Sequence, residues 1–498
     1  MKVLPTKFIF IILKPTFNRV LEKKEKQFQL LGAICLLLAS FFSLGYHHFD
    51  EHFQILEFAN LKLGHITTDQ LPWEFGAKMR PTIQAFMVYT LHLFGKTIGF
   101  VNPFYHSLFL RILSAALSFY ALKLFYDTFK NHFKKEHSSK WFLILSFSLW
   151  FVIYNGVRFS SENWSTLFFM IPFALYFKWK SKGIVQYLFL GLCFGLSFEF
   201  RFQAAFMIIG FLAWLLFIHK EKISKVLLIC LGGVTALALG AISDHWFYGE
   251  WTFSPWNYFY ENILAGKASN FGEMPWYWYF GRFFIQGIPP LSLVIILAIL
   301  LFCIRQRKSS ITWVIVPFLL AHFATSHKEL RFLFPIVLFI LFILMKAFEI
   351  GEELKEKLIQ HRAVRLLFQL SIVANFIFLA VVCFRPADPQ ISLYETIHSD
   401  YEQPTILYHF DKNPYHRILG INYYKRANLT LQQIQSIEEI PSKTSKKQLL
   451  VFGGKKRPTE EFKATHRLIY SSFPEWVKAV NFNNWQERTK VWNVYEIN

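Results

Sequence analysis

Long apolar runs alternate with short charged connections through most of the chain. The first strong run covers 29–46, and the stretch 82–100 is interrupted by Lys96 and two glycines. We interpret the uninterrupted runs as about eleven to thirteen transmembrane helices and 82–100 as a surface or re-entrant helix. The later runs lie at 104–127, 141–155, 164–177, 186–200, 202–218, 225–243, 285–304, 311–325, 332–348 and 366–384.

Lysines and arginines are concentrated at every second connection. Because positively charged loops stay on the cytoplasmic side, this alternation predicts the orientation of the spans. The basic clusters lie near 19–26, 130–140, 178–182, 220–225, 305–308 and 355–365. The connections that remain for the outer face are 47–81, 155–163, 199–202, 244–284, 326–331 and the tail from 385.

Composition supports a polytopic membrane protein. Of 498 residues, 54% are hydrophobic and only 17% are charged, whereas soluble domains carry roughly 25% charged residues. The formal net charge of +20 comes mainly from the loop clusters, so we expect the lipid bilayer as partner and no nucleic acid. All five cysteines lie inside apolar runs and predict neither disulfides nor a metal site.

The chain divides into three predicted regions. Residues 1–26 form a cytoplasmic segment whose short apolar stretch at 8–13 favours an amphipathic anchor, and 27–384 form the transmembrane domain. From 385 to 498 the long apolar runs stop. Short β-rich pieces at 405–408 and 448–452 flank a polar helical pattern at 431–439. We expect a small C-terminal α/β domain on the outer face.

Ionisable residues at membrane depth are costly, and here they collect in the outer connections. This clustering predicts one functional site at the outer membrane boundary, although each residue could instead form a structural ion pair between helices. The residues are Asp50, Glu51, Arg158, Glu162, Glu199, Arg201, Asp244 and the run 327–331.

Two carboxylates, Asp50 and Glu51, directly follow the first span. At a membrane–water boundary such groups can act as a general base, as a metal ligand or as a helix cap. His48 and His52 are four residues apart, which suits a metal, but no third ligand stands at a diagnostic spacing. Helix capping by Asp50 is the structural alternative.

The run His327-Lys328-Glu329-Leu330-Arg331 places three basic side chains in one short connection. Arginine binds phosphate in a bidentate manner and lysine acts as a point charge, so this connection suits a membrane-bound phosphate ester. Anchoring to lipid headgroups is the alternative.

That run resembles the His-Lys-Glu-x-Arg-Phe signature of glycosyltransferase family 22, the multi-span mannosyltransferases of lipid-linked oligosaccharide and glycosylphosphatidylinositol (GPI) assembly. Four further segments resemble family elements in the same order. They are His48-Phe49-Asp50-Glu51-His52-Phe53-Gln54, with Phe49 in place of proline, Arg158 with 160–162, 244–257 and 271–280.

The resemblance implies the GT-C membrane architecture, a polyprenyl-phosphate-mannose donor and an inverting transfer to a glycan or glycolipid hydroxyl. It assigns the general base to Asp50, with Glu51 as second choice or as the residue that orients the acceptor. Positive side chains are needed to stabilise the leaving phosphate, and the candidates for donor-phosphate binding are His327, Lys328 and Arg331, with Arg158, Arg201 and Arg80 behind them. We assign substrate contacts to Glu162, Asp244, Trp256, Asn257 and Trp276. No cofactor is expected, and a metal is left open.

Two alternative functions stay open. A transporter or flippase for a lipid-linked glycan would show paired halves and charges at mid-span, neither of which is evident here. A transferase for another polyprenyl-linked sugar would use the same residues. The outer face is the periplasm if the protein lies in a bacterial inner membrane, or the lumen if it lies in the endoplasmic reticulum.

Overall fold

A computed structural model describes residues 6–289, 291–352, 360–442, 444–453, 456–489 and 491–497. The chain divides into two compact units. The helical unit comprises the described parts of Met1–Phe42, Ala77–Ile83 and Leu110–Phe384. The sheet unit comprises the described parts of Ser43–Gly76, Gln84–Phe109 and Arg385–Asn498.

Helices account for nearly all of the apolar runs. Within the described residues, five helices are long and apolar enough to cross a membrane, and four shorter apolar helices accompany them. The chain is therefore a multi-pass membrane protein, as predicted. The helices are Thr6–Phe42, Pro103–Phe129, Glu136–Ser148, Trp150–Gly156, Ser161–Lys178, Ile184–Phe200, Ala205–Phe217, Ile223–Tyr248, Ser254–Phe259, Trp278–Gln286, Leu291–Arg305, Ser310–Ala324, Val337–Ile350 and Arg362–Phe384.

Two boundaries bear on the predictions. The first span ends at Phe42 and not at Tyr46, because the chain leaves the helix before Gly45, which has φ of 90°. A positive φ suits glycine and terminates the helix. The ambiguous stretch 82–100 contains the helix Ile83–Thr97.

Glycines fix the pairing of two helices in the helical unit. A side chain on Gly191 would overlap the carbonyl oxygen of Ile229, and one on Gly232 would overlap that of Leu188. Small residues let helix backbones approach closely in membrane proteins. The helices Ile184–Phe200 and Ile223–Tyr248 therefore pack backbone to backbone. The helices of this unit share a core that is rich in phenylalanine.

A five-stranded mixed sheet forms the C-terminal part of the sheet unit. The strands are β1 (Thr405–His409), β2 (Leu429–Gln433), β3 (Lys447–Phe452), β4 (Arg467–Ser471) and β5 (Asn493–Ile497). Their order is β2-β1-β3-β5-β4, with β1 parallel to β2 and β3, and β5 antiparallel to β3 and β4. The helical prediction at 431–439 is wrong. Parallel pairing with β1 makes its first part a strand, and only Ile437–Glu439 forms a 3₁₀ turn.

The rest of the sheet unit is helical. The short helix Phe49–Glu51 continues through a π-helical turn, His52–Leu56, into Glu57–Lys62. The other α-helices are Trp73–Gly76, Ile83–Thr97, Pro389–Asp400, Glu460–Thr465, Glu475–Ala479 and Trp485–Arg488. Thus the segment that follows the first span folds with the residues after 385.

Candidate functional site

The centre of the charged cluster in the helical unit is Glu162, the second residue of the helix Ser161–Lys178. Its Oε1 accepts hydrogen bonds from Arg201 (2.9 Å) and from Arg331 (2.7 Å). Only 4% of Glu162 is exposed. Charge-assisted hydrogen bonds of this kind are short and strong, so one buried carboxylate holds two guanidinium groups together.

Arg331 is fixed on two sides. Its Nε and Nη2 donate to the two oxygens of Glu329 at 2.7 and 3.1 Å, while Nη1 donates to Glu162. His327 Nε2 lies 3.1 Å from the same Glu329 carboxylate. A bidentate pair gives geometric specificity as well as energy. The connection 327–331 therefore has a defined shape imposed by its own glutamate.

An aromatic ring joins the two arginines. Phe332 lies under Arg201 at 4.9 Å and under Arg331 at 5.1 Å, measured from guanidinium carbon to ring centroid. Arg201 is 7% exposed, and its Nε has no hydrogen-bond partner among the described residues. A buried N–H without a partner is costly, so the guanidinium retains a donor that an anionic ligand can satisfy.

The other two basic groups of the connection are arranged differently. Lys328 is buried, its ammonium donates to the carbonyl oxygen of Thr325, and burial lowers the pKa of this group. His327 Nδ1 is buried without a hydrogen-bond partner in the part of the chain that the structure describes. The backbone N–H of Met274 donates to the carbonyl of Ser326 at 3.0 Å, so the connection 244–284 contacts the start of the connection 326–331.

Arg158 lies close to Glu162 in sequence and is also buried. Asn163 Nδ2 donates to the Arg158 carbonyl at 2.9 Å and to the Gly156 carbonyl at 3.3 Å, while Ser160 caps the helix that carries Glu162. The predicted Arg158–Glu162 element is thus a helix N-terminus held by its own asparagine and serine.

Asp244 is a buried anchor. Its Oδ1 accepts from the Thr82 backbone N–H at 3.2 Å and from the Thr82 hydroxyl at 2.8 Å, and its Oδ2 accepts from Ser254. Asn257 Nδ2 donates to the carbonyl of Lys78 at 3.1 Å. These bonds position the segment that carries Arg80, whose guanidinium lies 5.7 Å from the Tyr258 ring.

The two predicted tryptophans lie on the surface of the helical unit. Trp256 is 56% exposed and Trp276 is 64% exposed. Their rings are therefore free of the protein core, which is compatible with either a sugar contact or an interfacial position.

Asp50 and Glu51 lie in the sheet unit, on the short helix after the first span. The helix cap is His48, whose Nδ1 accepts from the Asp50 N–H at 3.2 Å, so the capping alternative for Asp50 is wrong. The carboxylate of Asp50 keeps 25% of its surface exposed. His52 forms a buried pair with Glu57, whereas His48 caps the helix, and no metal-competent cluster of three ligands occurs among the described residues.

Sequence reasoning assigned no role to three residues of these clusters: Glu329, which it included in the run 327–331, Phe332 and Glu57. Glu329 and Phe332 stand inside or beside the basic run, where an acidic and an aromatic residue between cations was the available signal. Glu57 gave no signal for its contact with the C-terminal region, because its two partners there are backbone N–H groups far away in sequence.

Residues 27–426 match the Alg9-like mannosyltransferase family. Among curated proteins, GPI alpha-1,2-mannosyltransferase 3 of Xenopus laevis is 28% identical over 306 residues, which cover 58% of this chain and 53% of that protein. Mannosyltransferase APTG1 of Arabidopsis thaliana is 24% identical over 312 residues, with 59% and 53% covered. The chain thus spans about half the length of these relatives.

Among solved structures, ArnT from Cupriavidus metallidurans bound to undecaprenyl phosphate is similar to this chain. The TM-score is 0.50 at 9% identity, and the match covers 93% of this chain and 96% of that one. At this identity the likeness concerns the fold alone, and it confirms the predicted GT-C architecture.

Proposed function

The chain belongs to the Alg9-like mannosyltransferase family, and we propose that it transfers mannose from a polyprenyl-phosphate donor to a hydroxyl of a glycolipid. The names of the relatives favour an α-1,2 linkage and a GPI-type acceptor, and the ligand of the ArnT structure favours a polyprenyl phosphate.

One observation carries the donor assignment: Arg201 and Arg331 converge on a single buried carboxylate, and Arg201 keeps an unpaired N–H. Two guanidinium groups that contact one carboxylate and one aromatic ring form a site that suits a phosphate. We propose that they bind the donor phosphate together with His327, Lys328 and Arg158. Glu162 would hold both arginines in the absence of donor.

The reaction is a single displacement. The acceptor oxygen bonds to the anomeric carbon while the bond from that carbon to the phosphate oxygen breaks, and the electron pair leaves with the phosphate. The β-linked donor thereby gives an α-mannoside. Asp50 takes the proton of the acceptor hydroxyl, and Glu51 orients the acceptor or replaces Asp50. The cationic side chains stabilise the charge on the departing phosphate.

The remaining assignments follow from these roles. Asp244 and Asn257 position the segment around Arg80, and Trp256 and Trp276 offer faces for the acceptor sugar. We place the reaction on the outer face, in the periplasm or in the endoplasmic reticulum lumen, with residues 385–498 on the same side and 1–26 in the cytoplasm.

Sugar transfer by the purified protein in lipid tests the proposal. Polyprenyl-phosphate-mannose and GDP-mannose are compared as donors for wild type and Asp50→Asn, with mannose-terminated glycolipid acceptors. We expect transfer from the lipid donor only, and a loss of about 10³-fold in kcat for Asp50→Asn with donor binding retained. Glu496→Gln, in β5, is the matched control.

Each other outcome contradicts a specific part. Equal activity of Asp50→Asn and wild type would remove Asp50 as the base. Use of GDP-mannose would contradict the orientation and the donor. Lipid-donor movement across the bilayer without product would support the transporter instead.

A further inference from the structure

We infer that Glu57 is a positioning residue through which the loop 421–424 fixes the turn that carries Asp50 and Glu51. The inference rests on the proposed function, in which Asp50 is the base. It gives the residues after 385 a catalytic task, because they set the geometry of a group located more than three hundred residues earlier in the chain.

The first observation is the set of bonds made by Glu57, which is fully buried. Its Oε1 accepts from the backbone N–H groups of Asn422 (2.6 Å) and Tyr423 (2.9 Å) and lies 2.8 Å from His52 Nε2. Its Oε2 accepts from Asn60 Nδ2 at 3.0 Å. Within the described residues no lysine or arginine forms an ion pair with Glu57, so its partners all have fixed directions.

The second observation is the π-helical turn His52–Leu56, in which the backbone N–H of Glu57 donates to the carbonyl of His52. In an ordinary α-helix, residues five apart point about 140° away from each other. The wider turn brings the side chains of His52 and Glu57 to one face, where they bond. Since His52 directly follows Asp50 and Glu51, its fixed ring fixes the end of their helix.

The third observation is an aromatic stack between the loop 421–424 and the turn. Tyr424 lies on the His52 ring at 5.7 Å and on the Phe104 ring at 4.7 Å, and its hydroxyl lies 2.8 Å from Ser107 Oγ. Stacked rings held by a hydrogen bond at the far end restrict rotation of His52. The loop 421–424 thus contacts the turn by backbone and by side chain.

A second contact reaches the turn from another part of the C-terminal region. The guanidinium of Arg417 lies 6.0 Å from the Phe49 ring, and it is itself held by Asp388 and by Gln390, each at 2.8 Å. Phe49 occupies the position where the family element has proline. Where the family element has the rigid ring of proline, this chain has the side chain of Phe49, which a cation–π contact with the distant Arg417 holds in place.

The test compares Glu57→Ala, Glu57→Gln and the matched control Glu496→Gln in the full-length protein in lipid. Glu496 is also a largely buried carboxylate of the sheet unit, and its partners among the described residues are Tyr401 and Lys447, which lie outside the turn. The measurements are kcat and KM for polyprenyl-phosphate-mannose, direct binding of that donor and the thermal unfolding midpoint.

We expect Glu57→Ala to lower kcat about 100-fold, because a small displacement of a catalytic group has an effect of this size. KM and donor binding should stay within about twofold. Glu57→Gln keeps one acceptor oxygen for the backbone N–H groups and should recover about tenfold of the loss. If Glu57→Ala does not fold, Ser107→Ala replaces it, with a decrease in kcat of about threefold at unchanged KM.

Two results would overturn the inference. One is wild-type kcat in both Glu57→Ala and Ser107→Ala. The other is a parallel loss of donor binding, kcat and unfolding midpoint, which would make Glu57 a purely structural residue. Failure of the proposed function is recognised separately, because wild type would then make no product or Asp50→Asn would be fully active.

Discussion

Each of the two units contains a buried glutamate at the centre of a polar cluster, but the two are held by different kinds of donor. Glu162 in the helical unit binds the flexible side chains of Arg201 and Arg331. Glu57 in the sheet unit binds two backbone N–H groups, a histidine and an asparagine.

From this difference we expect one carboxylate to be replaceable by another anion and the other to be permanent. Guanidinium groups carry their charge to whichever anion is present, so a phosphate can take the place of a carboxylate between them. Backbone N–H groups cannot follow a departing partner without moving the chain, and a buried donor left unpaired is costly. We therefore expect Glu162 to yield to the donor and Glu57 to remain in place throughout turnover.

The largest effect should come from the arginine that joins Glu162 and Glu329. We expect Arg331→Ala to reduce kcat/KM for the lipid donor about 10³-fold, since a cation aimed at the departing phosphate is lost. Arg331→Lys keeps the charge but not the bidentate geometry and should recover only part of the activity. Steady-state kinetics with the lipid donor measure both. An Arg331→Ala enzyme within a few fold of wild type would remove this residue from the site.

Glu162→Gln should have a smaller effect than Arg331→Ala, and it should change donor affinity and stability in opposite directions. Removing the competing carboxylate should tighten donor binding about tenfold, because the phosphate no longer displaces an anion. The same change should lower the free energy of unfolding by about 3 kcal/mol, since the buried guanidinium of Arg201 loses its carboxylate partner, whereas Arg331 keeps Glu329. Donor titration and thermal unfolding test this pair of effects. Weaker donor binding in Glu162→Gln would show that the carboxylate does not compete with phosphate.

The smallest effect concerns a carboxylate that belongs to neither cluster. Burial opposes ionisation of Glu221, but hydrogen bonds from Tyr176, Lys225 and Tyr187 outweigh it and lower its pKa to about 2. Because the folded pKa lies below the ordinary value, the stabilisation is complete above about pH 4.5 and is lost as the pH falls towards 2.

At pH 7 we expect Glu221→Gln to lower the free energy of unfolding by about 2 kcal/mol. The difference from wild type should shrink when thermal unfolding is repeated at pH 4 and pH 3. If the difference in the free energy of unfolding is the same at all three pH values, these hydrogen bonds do not lower the pKa of Glu221.

The sequence predicted the parts of the molecule that depend on local apolar patterns. The runs that became Pro103–Phe129 and Ile223–Tyr248 were located within a few residues, because solvation by lipid acts on each segment separately. The pattern at 431–439 failed because pairing with β1 decided its conformation, and local propensity is weaker than such pairing.

The structure brings three of the predicted site residues together through contacts that the sequence did not show. The distribution of loop charges predicted that Glu162, Arg201 and Arg331 lie on one face of the membrane. It could not show that one carboxylate binds both guanidinium groups, one of them 169 positions away in the sequence. Glu57 was invisible for a stronger reason. Two of its donors are the backbone N–H groups of Asn422 and Tyr423. Because every residue except proline has such a group, the residue type does not show which of them binds a carboxylate.

The π-helical turn makes the length of one short segment as important as its composition. One residue inserted in this turn would rotate the preceding helix, which carries Asp50, by about 100° with respect to Glu57. A deletion would leave His52 and Glu57 four residues apart, a spacing at which a regular α-helix also places two side chains on one face. With Asp50 in its proposed role, we therefore expect insertions between His52 and Glu57 to lower activity more than deletions.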